Sequence, residues 1–127
     1  MNLQELSTAA KQGLPVIEVI MNNNVLGMVR QWQRLFYEKR FSNTTLDKLT
    51  DYNKVAEGLG ANGITVSTID ELKNALETAK SSRNKPTVIN CLIHQDDLVL
   101  PMVPGGQSIE KPILEIKIDD DDDKEGK

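Results

Sequence analysis

Cysteine and histidine are scarce in this sequence, and its serines lack a catalytic setting. The 127 residues contain one cysteine, Cys91, and one histidine, His94. A single cysteine cannot form a disulfide within the chain, and Cys91 lies in an apolar run with no nearby base, which predicts a small buried residue rather than a nucleophile. His94 follows that run and is predicted to be a surface turn residue, with a general-base role as the alternative. No serine stands in a nucleophile-elbow motif, so serine hydrolysis has no support.

Long apolar runs are also missing. A membrane-spanning helix needs about 18 or more consecutive apolar residues, and no run in this sequence approaches that length. No signal peptide is recognisable at the start of the sequence. Hydrophobic residues make up 39% of the chain, which is ordinary for a soluble α/β protein. These features predict no membrane partner and a cytoplasmic location, or a plastid stroma or mitochondrial matrix in a eukaryote.

An excess of positive charge is absent as well. The net charge is −4 at pH 7, and the C-terminal segment carries all of it through Asp119–Asp123 and Glu125 against Lys124 and Lys127. The rest of the chain is neutral overall, which argues against nucleic-acid binding. A small basic cluster on or beside one helix is predicted to be a solvated face; its members are Arg30, Arg34, Lys39 and Arg40. Residues 111–127 are predicted to be a disordered acidic tail, because like charges repel one another.

Strand and helix patterns alternate through residues 1–110. Apolar spacing predicts helices over Leu3–Gln12, Leu26–Tyr37 and Asp51–Gly60, and a fourth that opens with the capping box Thr68–Glu71. The predicted buried face of that fourth helix is Ile69, Leu72, Ala75, Leu76 and Ala79. The predicted strands are Leu14–Met21, Ile64–Ser67 and Thr87–Ile93, with a turn at Asn62-Gly63; Ile113–Ile118 is either an edge strand or loose chain. This alternation predicts an α/β fold with a doubly wound parallel sheet.

Three asparagines directly follow the first predicted strand. Asn22, Asn23 and Asn24 stand where ligands gather in parallel α/β proteins, beyond the carboxyl end of a strand. An amide oxygen is an acceptable Mg²⁺ ligand. Met28 and Trp32 lie one helical turn apart and would add apolar walls to a pocket, although the same stripe is equally compatible with core packing. Because asparagine-rich turns usually bend the chain or cap a helix, spacing alone leaves the metal site and the structural turn both open.

Longer strings in this region resemble acetolactate synthases, which are thiamine diphosphate enzymes. The strings are Met1–Leu6, Leu14–Val16, Asn22–Gln33, Leu35–Glu38, Arg40–Ser42, Ala56–Ala61 and Pro101–Gly106. The Met-Val-Arg-Gln-Trp-Gln string at Met28–Gln33 is the most specific of them, because it separates acetolactate synthases from most other thiamine diphosphate enzymes. The resemblance covers residues 1 to about 110. It implies the C-terminal portion of a thiamine diphosphate-binding domain, a fold truncated at its N-terminus.

The resemblance carries site residues over to this chain one by one. Asn23 would give a side-chain oxygen to Mg²⁺, and Val25 would give its backbone carbonyl. The positions that would line the cofactor are Gly27 and Met28, and those that would line the substrate channel are Val29 and Trp32. No catalytic residue is assigned, because the family's aspartate metal ligand and cofactor-activating glutamate belong to upstream elements that no position of this sequence matches.

The implied reaction is decarboxylation of pyruvate and its condensation with a 2-oxo acid in branched-chain amino acid biosynthesis. The implied cofactors are thiamine diphosphate and Mg²⁺, with FAD in full-length relatives. The implied partners are the 2-oxo acid substrate and either a second copy of the chain or a chain that supplies the rest of the domain. The isolated chain is expected to be inactive. Two alternatives stay open, namely a non-catalytic fragment or interaction module, and part of another thiamine diphosphate enzyme such as a pyruvate oxidase.

Overall fold

Three parallel strands and four helices alternate along the part of the chain that the structure describes. The structure is a computed structural model, and it describes residues 2–46 and 50–116. The elements are α1 (Glu5–Lys11), β1 (Ile17–Asn22), α2 (Gly27–Phe36), α3 (Tyr52–Gly58), β2 (Asn62–Val66), α4 (Ile69–Ser81) and β3 (Thr87–Leu92). The strands form one parallel sheet in the order β1-β3-β2. The predicted α/β fold with a parallel sheet is therefore confirmed.

The central strand β3 is buried on both faces. One apolar cluster consists of Leu6, Ala56, Ala61 and Val88, and a second consists of Val66, Ala75, Ala79, Ile89 and Cys91. Val88 and Ile89 belong to different clusters because successive side chains of a strand point to opposite faces. Helices α1 and α3 contribute to the first cluster and α4 to the second, so helices cover both faces of the sheet. The predicted burial of Cys91 is confirmed, since 5% of this residue is exposed.

Strand β1 lies at one edge of the described sheet. It pairs with β3, and no second neighbour is present among the described residues. Ile17, Val19 and Met21 share one face of the strand, and their exposed fractions are 36%, 43% and 62%. The strand begins later than the predicted Leu14, because the Val16 N–H turns back to the Leu14 carbonyl at 2.9 Å. An apolar strand thus presents one face to the surface.

Two helices begin with the predicted side-chain caps. Asp51 accepts a hydrogen bond from the Lys54 N–H at 3.1 Å and opens α3. The capping box of α4 is complete, with the Thr68 hydroxyl accepting from the Glu71 N–H and the Glu71 carboxylate accepting from the Thr68 N–H, both at 3.2 Å. The Lys54 backbone N–H lowers the pKa of Asp51 by donating a hydrogen bond to its carboxylate, and the Ser67 backbone N–H does the same for Glu71.

The predicted turn at Asn62-Gly63 is wrong, because both residues belong to β2. The chain turns at Gly60, two residues before Asn62, where the backbone adopts φ +89°. Gly63 serves close packing instead, since a Cβ at this position would lie 2.6 Å from the Asn53 Cα of α3. The Asn-Gly pair suggested a turn in the sequence, but position 63 needs a glycine because α3 packs closely against β2 there.

Part of the predicted buried face of α4 is also wrong. Ile69 occupies the first position of the helix and is 73% exposed. The buried face consists of Ala75 and Ala79, with Leu72 and Leu76 half-buried against the same cluster. The apolar periodicity is therefore correct over most of the helix and fails at its first turn, where the side chain lies outside the packed cluster.

The described residues divide into two compact units after Asp97, and all the named helices and strands lie in the first. Within the second unit, Met102 and Ile113 form one antiparallel bridge, while the described part of Ile113–Ile118 belongs to no named strand. The predicted acidic tail extends through residues 117–127, which lie outside the described residues, and the predicted division after residue 110 stays a prediction. No helix in the described ranges is long and apolar enough to cross a membrane.

Candidate functional site

The three asparagines at the carboxyl end of β1 have distinct roles, with Asn22 as the last residue of the strand and Asn23 and Asn24 in the loop that follows it. The side-chain oxygen of Asn22 accepts a hydrogen bond from the Asn24 N–H at 3.1 Å. Asn24 adopts φ +55°, a left-handed conformation that asparagine tolerates better than most residues. The side-chain oxygen of Asn23 accepts from the Val25 N–H at 3.2 Å. The structural turn left open by the sequence is therefore present, and it leaves an amide oxygen of Asn23 with a second lone pair.

The loop also offers a backbone oxygen. Among the described residues, no N–H or side-chain donor reaches the Val25 carbonyl, whereas the carbonyls of Asn24 and Leu26 on either side each accept a backbone hydrogen bond. Asn23 and Val25 thus retain oxygen lone pairs in one short segment at the carboxyl end of β1. Amide and carbonyl oxygens are the donor atoms that Mg²⁺ accepts. These residues fit the metal that the resemblance implies.

Gly27 makes room for this loop at the start of α2. A Cβ at this position would lie 2.8 Å from the side-chain nitrogen of Asn23, a separation too short for van der Waals contact. Any larger residue would therefore push the Asn23 amide from its present orientation. The present orientation of the Asn23 amide thus depends on the absence of a side chain at position 27, which links the predicted cofactor position Gly27 to the predicted metal position Asn23.

Helix α2 has its charged side chains inside and its apolar side chains outside. Arg30, Gln31 and Arg34 are the buried residues of this helix. Met28 and Trp32 are 51% and 45% exposed. The prediction that the basic cluster forms a solvated face is wrong for Arg30 and Arg34, although Lys39 and Arg40 are exposed. Of the two interpretations of the apolar stripe, the structure favours a surface pocket over core packing.

A buried carboxylate explains this inversion. Asp96, which is 2% exposed, accepts from the Arg30 Nε at 2.7 Å and lies 2.7 Å from the Arg34 Nη2. The Arg30 guanidinium also lies 3.8 Å above the centre of the Phe41 ring, a cation–π contact. Burial opposes ionisation of Asp96, but hydrogen bonds from the two arginines outweigh it and lower the pKa of Asp96 below its ordinary value. Charge pairing therefore fixes the inner face of α2.

The outer face of α2 lines a cavity of about 660 Å³. Its lining residues are Met28, Val29, Trp32, Gln33, Tyr37 and Arg40. Three residues carried over from the resemblance meet here, namely the predicted cofactor position Met28 and the predicted channel positions Val29 and Trp32. The Trp32 ring packs edge-on against Phe36 with ring centres 5.7 Å apart. The cavity is mostly apolar, and its polar groups belong to Gln33, Tyr37 and Arg40.

The sequence did not single out a second, polar cleft of about 470 Å³ near the carboxyl ends of the strands. Its lining residues are Asn22, Asn24, Thr50, Asp51, Tyr52, Asn53, Thr65, Asn90 and Leu92. Asn90 donates to the Thr65 hydroxyl at 3.4 Å, and that hydroxyl donates to Asn53 at 3.2 Å. The side-chain oxygen of Asn90 has no hydrogen-bond partner among the described residues. The only signal in the sequence for this cleft was the presence of polar residues in and after the predicted strands.

The single histidine lies in the turn after β3, as predicted. His94 is exposed. The imidazole Nδ1 of His94 accepts from the Asp96 backbone N–H at 3.3 Å, and the backbone N–H of His94 donates to the Asp97 carboxylate at 3.1 Å. Within the described ranges, no three histidine, cysteine or acidic residues are grouped closely enough to hold a metal ion. Mg²⁺ in proteins commonly completes its coordination shell with water and phosphate oxygens.

The chain is similar to known proteins over most of its length. Residues 1–91 match the family described as thiamine pyrophosphate enzyme, C-terminal TPP binding domain. The acetolactate synthase large subunit of Haemophilus influenzae is 42% identical over 114 residues, which cover 90% of this chain and 20% of that protein. The corresponding subunit of Corynebacterium glutamicum is 43% identical over 112 residues, which cover 85% of this chain and 18% of that protein. The chain spans about a fifth of the length of the curated relatives it matches.

A solved structure supports the fold. The thiamine diphosphate-dependent 4-hydroxybenzoylformate decarboxylase of Rhodococcus jostii RHA1 superposes with a TM-score of 0.65 and 24% sequence identity. The match covers 75% of this chain and 18% of that chain. At this identity the likeness establishes the shared architecture alone.

Proposed function

Because the chain belongs to the thiamine pyrophosphate enzymes, whose C-terminal cofactor-binding domain it matches over residues 1–91, we propose that its β1–α2 loop holds Mg²⁺ and the diphosphate of thiamine diphosphate. Asn23 would bind the metal through its side-chain oxygen and Val25 through its backbone carbonyl. Gly27 and Met28 would line the cofactor. The observation that carries the proposal is the pair of available oxygens on Asn23 and Val25 at the carboxyl end of a parallel strand.

The enzyme class that we propose is acetolactate synthase, condensing pyruvate with a 2-oxo acid in branched-chain amino acid biosynthesis. The curated relatives named above support this choice, as does the string Met28–Gln33. The cofactor would supply the electron sink for decarboxylation. Val29 and Trp32 would line the approach of the substrate and exclude water, since both border the 660 Å³ cavity on the outer face of α2.

These 127 residues by themselves are expected to bind the cofactor without forming acetolactate from pyruvate. The resemblance assigns cofactor activation to a glutamate that no position of this sequence matches. The groups that these 127 residues lack would come from residues outside them, and FAD contacts are not assigned to this segment. Acetolactate formation by the purified 127-residue chain would contradict this expectation.

Calorimetric titration of the chain with thiamine diphosphate, with and without Mg²⁺, tests the metal site. We expect binding that requires Mg²⁺ and that Asn23→Ala weakens by about tenfold or more, because even the loss of an outer-shell partner of a metal ligand costs about 10–100-fold. Asn74→Ala is the matched control, because Asn74 is exposed on α4 and lies outside the asparagine loop. Equal binding by the two variants, or binding that is indifferent to Mg²⁺, would refute the assignment of Asn23.

The second candidate is a non-catalytic module that pairs with another chain. The exposed apolar face of β1 favours it, because Ile17, Val19 and Met21 lie on an edge strand. The same titration separates the two candidates. An interaction module without a cofactor role would show no Mg²⁺-dependent binding of thiamine diphosphate at any concentration tested.

A further inference from the structure

The segment Thr44–Leu46, here called the strap, lies antiparallel to the asparagine loop and forms a bridge with it at Val25 and Thr45. We propose that the strap is a positioning element that aims the Val25 carbonyl at the metal. The inference rests on the function proposed above. It assigns a role to residues outside the strings that carry the resemblance, and the strap itself contributes no ligand.

Two backbone hydrogen bonds join the strap to the loop. The Leu26 N–H donates to the Thr44 carbonyl at 2.7 Å, and the Leu46 N–H donates to the Asn24 carbonyl at 2.9 Å. These bonds flank Val25 on both sides. Val25 and Thr45 are therefore a non-hydrogen-bonded pair of an antiparallel ladder, so neither the N–H nor the carbonyl of Val25 is used by the strap. The geometry fixes the peptide groups around Val25 and leaves its oxygen available.

Burial and a third hydrogen bond complete the restraint. Val25 is 7% exposed and Thr44 is 2% exposed, so the contact is closely packed at these two residues, whereas Thr45 and Leu46 are exposed. The Val25 N–H donates to the Asn23 side chain at 3.2 Å, which couples the two metal-binding oxygens to one another. The residue that would coordinate through its backbone is thus held from its own amide and from both neighbouring residues.

The strap is in turn tied to α2. The side chain of Gln33 donates to the Ser42 carbonyl and accepts from the Ser42 N–H, both at 3.1 Å. The Gln33 amide thus binds both backbone groups of Ser42, as a neighbouring strand would. These bonds fix the direction of the chain just before Thr44. The helix that carries Gly27 and Met28 therefore also orients the strap, and the strap orients the loop that begins the helix.

A rigid carbonyl matters because Mg²⁺ and Ca²⁺ make different demands. Mg²⁺ requires near-octahedral geometry at about 2.0–2.1 Å, whereas Ca²⁺ accepts irregular shells at about 2.3–2.6 Å. Loosening Val25 should therefore weaken Mg²⁺ binding more than Ca²⁺ binding. A change that merely destabilised the fold would weaken both to the same degree. The ratio of the two metal affinities is the signature of positioning.

Leu26→Pro removes one strap bond with little strain, because Leu26 already has φ −77°, close to the value that proline imposes. Leu26→Ala is its matched control, since alanine removes the same exposed side chain and keeps the N–H. In titrations of the 127-residue chain with thiamine diphosphate, we expect Leu26→Pro to raise the Mg²⁺ concentration for half-saturation roughly tenfold over Leu26→Ala. We expect a shift of threefold or less when Ca²⁺ replaces Mg²⁺.

Leu46→Pro removes the other strap bond, and Leu46→Ala is its matched control. This second pair keeps the test decisive if one proline variant fails to fold. Thermal unfolding followed by circular dichroism identifies such a variant. A proline variant that folds and keeps the Mg²⁺ to Ca²⁺ ratio of its alanine control would overturn the strap's role alone. Absence of Mg²⁺-dependent binding in the parent chain would overturn the proposed function and the strap's role with it.

Discussion

At the scale of single residues, Asp96 decides which face of α2 is buried. Its carboxylate binds Arg30 at 2.7 Å and lies 2.7 Å from an amino group of Arg34, and all three residues are at least 90% buried. A buried carboxylate between two guanidinium groups is stable only while both partners are present, because each charge has lost its hydration. The apolar residues of the same helix are consequently left to line the outer cavity.

Asp96→Asn should lower the free energy of unfolding by about 3 kcal/mol, since it leaves two buried cations with a neutral neighbour of the same shape. Urea unfolding followed by circular dichroism measures the loss. Asp70→Asn is the control, because Asp70 and Lys73 form an ion pair in which both side chains are largely exposed, and such pairs contribute about 0–1 kcal/mol. Similar losses for the two variants would contradict the structural role of Asp96.

The same carboxylate predicts a pH dependence. The pKa of Asp96 is lower in the folded chain than in the unfolded chain, so its contribution is complete above the unfolded pKa of about 4 and is lost as the pH falls through the folded pKa. We expect the free energy of unfolding to decline on acidification from about pH 5 to about pH 2. The decline should be smaller in Asp96→Asn. Parallel pH profiles of the parent and the variant in urea unfolding would show that other groups dominate.

At the scale of elements, glycines set how closely helix and strand approach. Gly63 in β2 faces the backbone of Asn53 in α3, and an added Cβ would lie 2.6 Å from the Asn53 Cα. Gly58, the last residue of α3, has no atom within 4 Å of the corresponding position. The two glycines therefore have different reasons to be present, although both stand beside predicted element boundaries.

Gly63→Ala and Gly58→Ala should shift stability in opposite directions. The first should cost about 1–3 kcal/mol, because overpacking forces a backbone displacement. The second should add up to about 1 kcal/mol, because alanine lowers the conformational entropy of the unfolded chain and favours the helix. Thermal unfolding of both variants measures the difference. A destabilising Gly58→Ala would indicate that α3 needs flexibility at its end.

At the scale of the whole molecule, the apolar face of β1 is the most exposed part of the sheet. Ile17, Val19 and Met21 lie on a strand with one described neighbour, and apolar edge strands are templates for association. We expect the purified chain to self-associate as its concentration rises. Val19→Lys should reduce this association, whereas Ile69→Lys, the same charge change at a site 73% exposed on α4, should not. Sedimentation velocity over a concentration series distinguishes them.

The sequence by itself determined the features that depend on residues close together along the chain. The capping box at Thr68, the cap at Asp51 and the strand–helix alternation were predictable, because hydrogen bonds between near neighbours and side-chain periodicity specify them. The resemblance carried by Met28–Gln33 identified the family for the same reason, since a motif is a local string. Asn23 as a metal ligand stays a prediction, although the structure leaves its oxygen available.

Tertiary structure alone decided the contacts between distant residues. Arg30 and Arg34 read as a solvated face, because their buried partner Asp96 lies more than 60 residues away along the chain. Gly63 read as a turn, because the helix it contacts is not encoded in its neighbours. The strap could not be foreseen either, since residues 44–46 meet residues 24–26 only after α2 and the loop that follows it reverse the chain. Burial and backbone pairing depend on which segments meet, and only the folded chain brings those segments together.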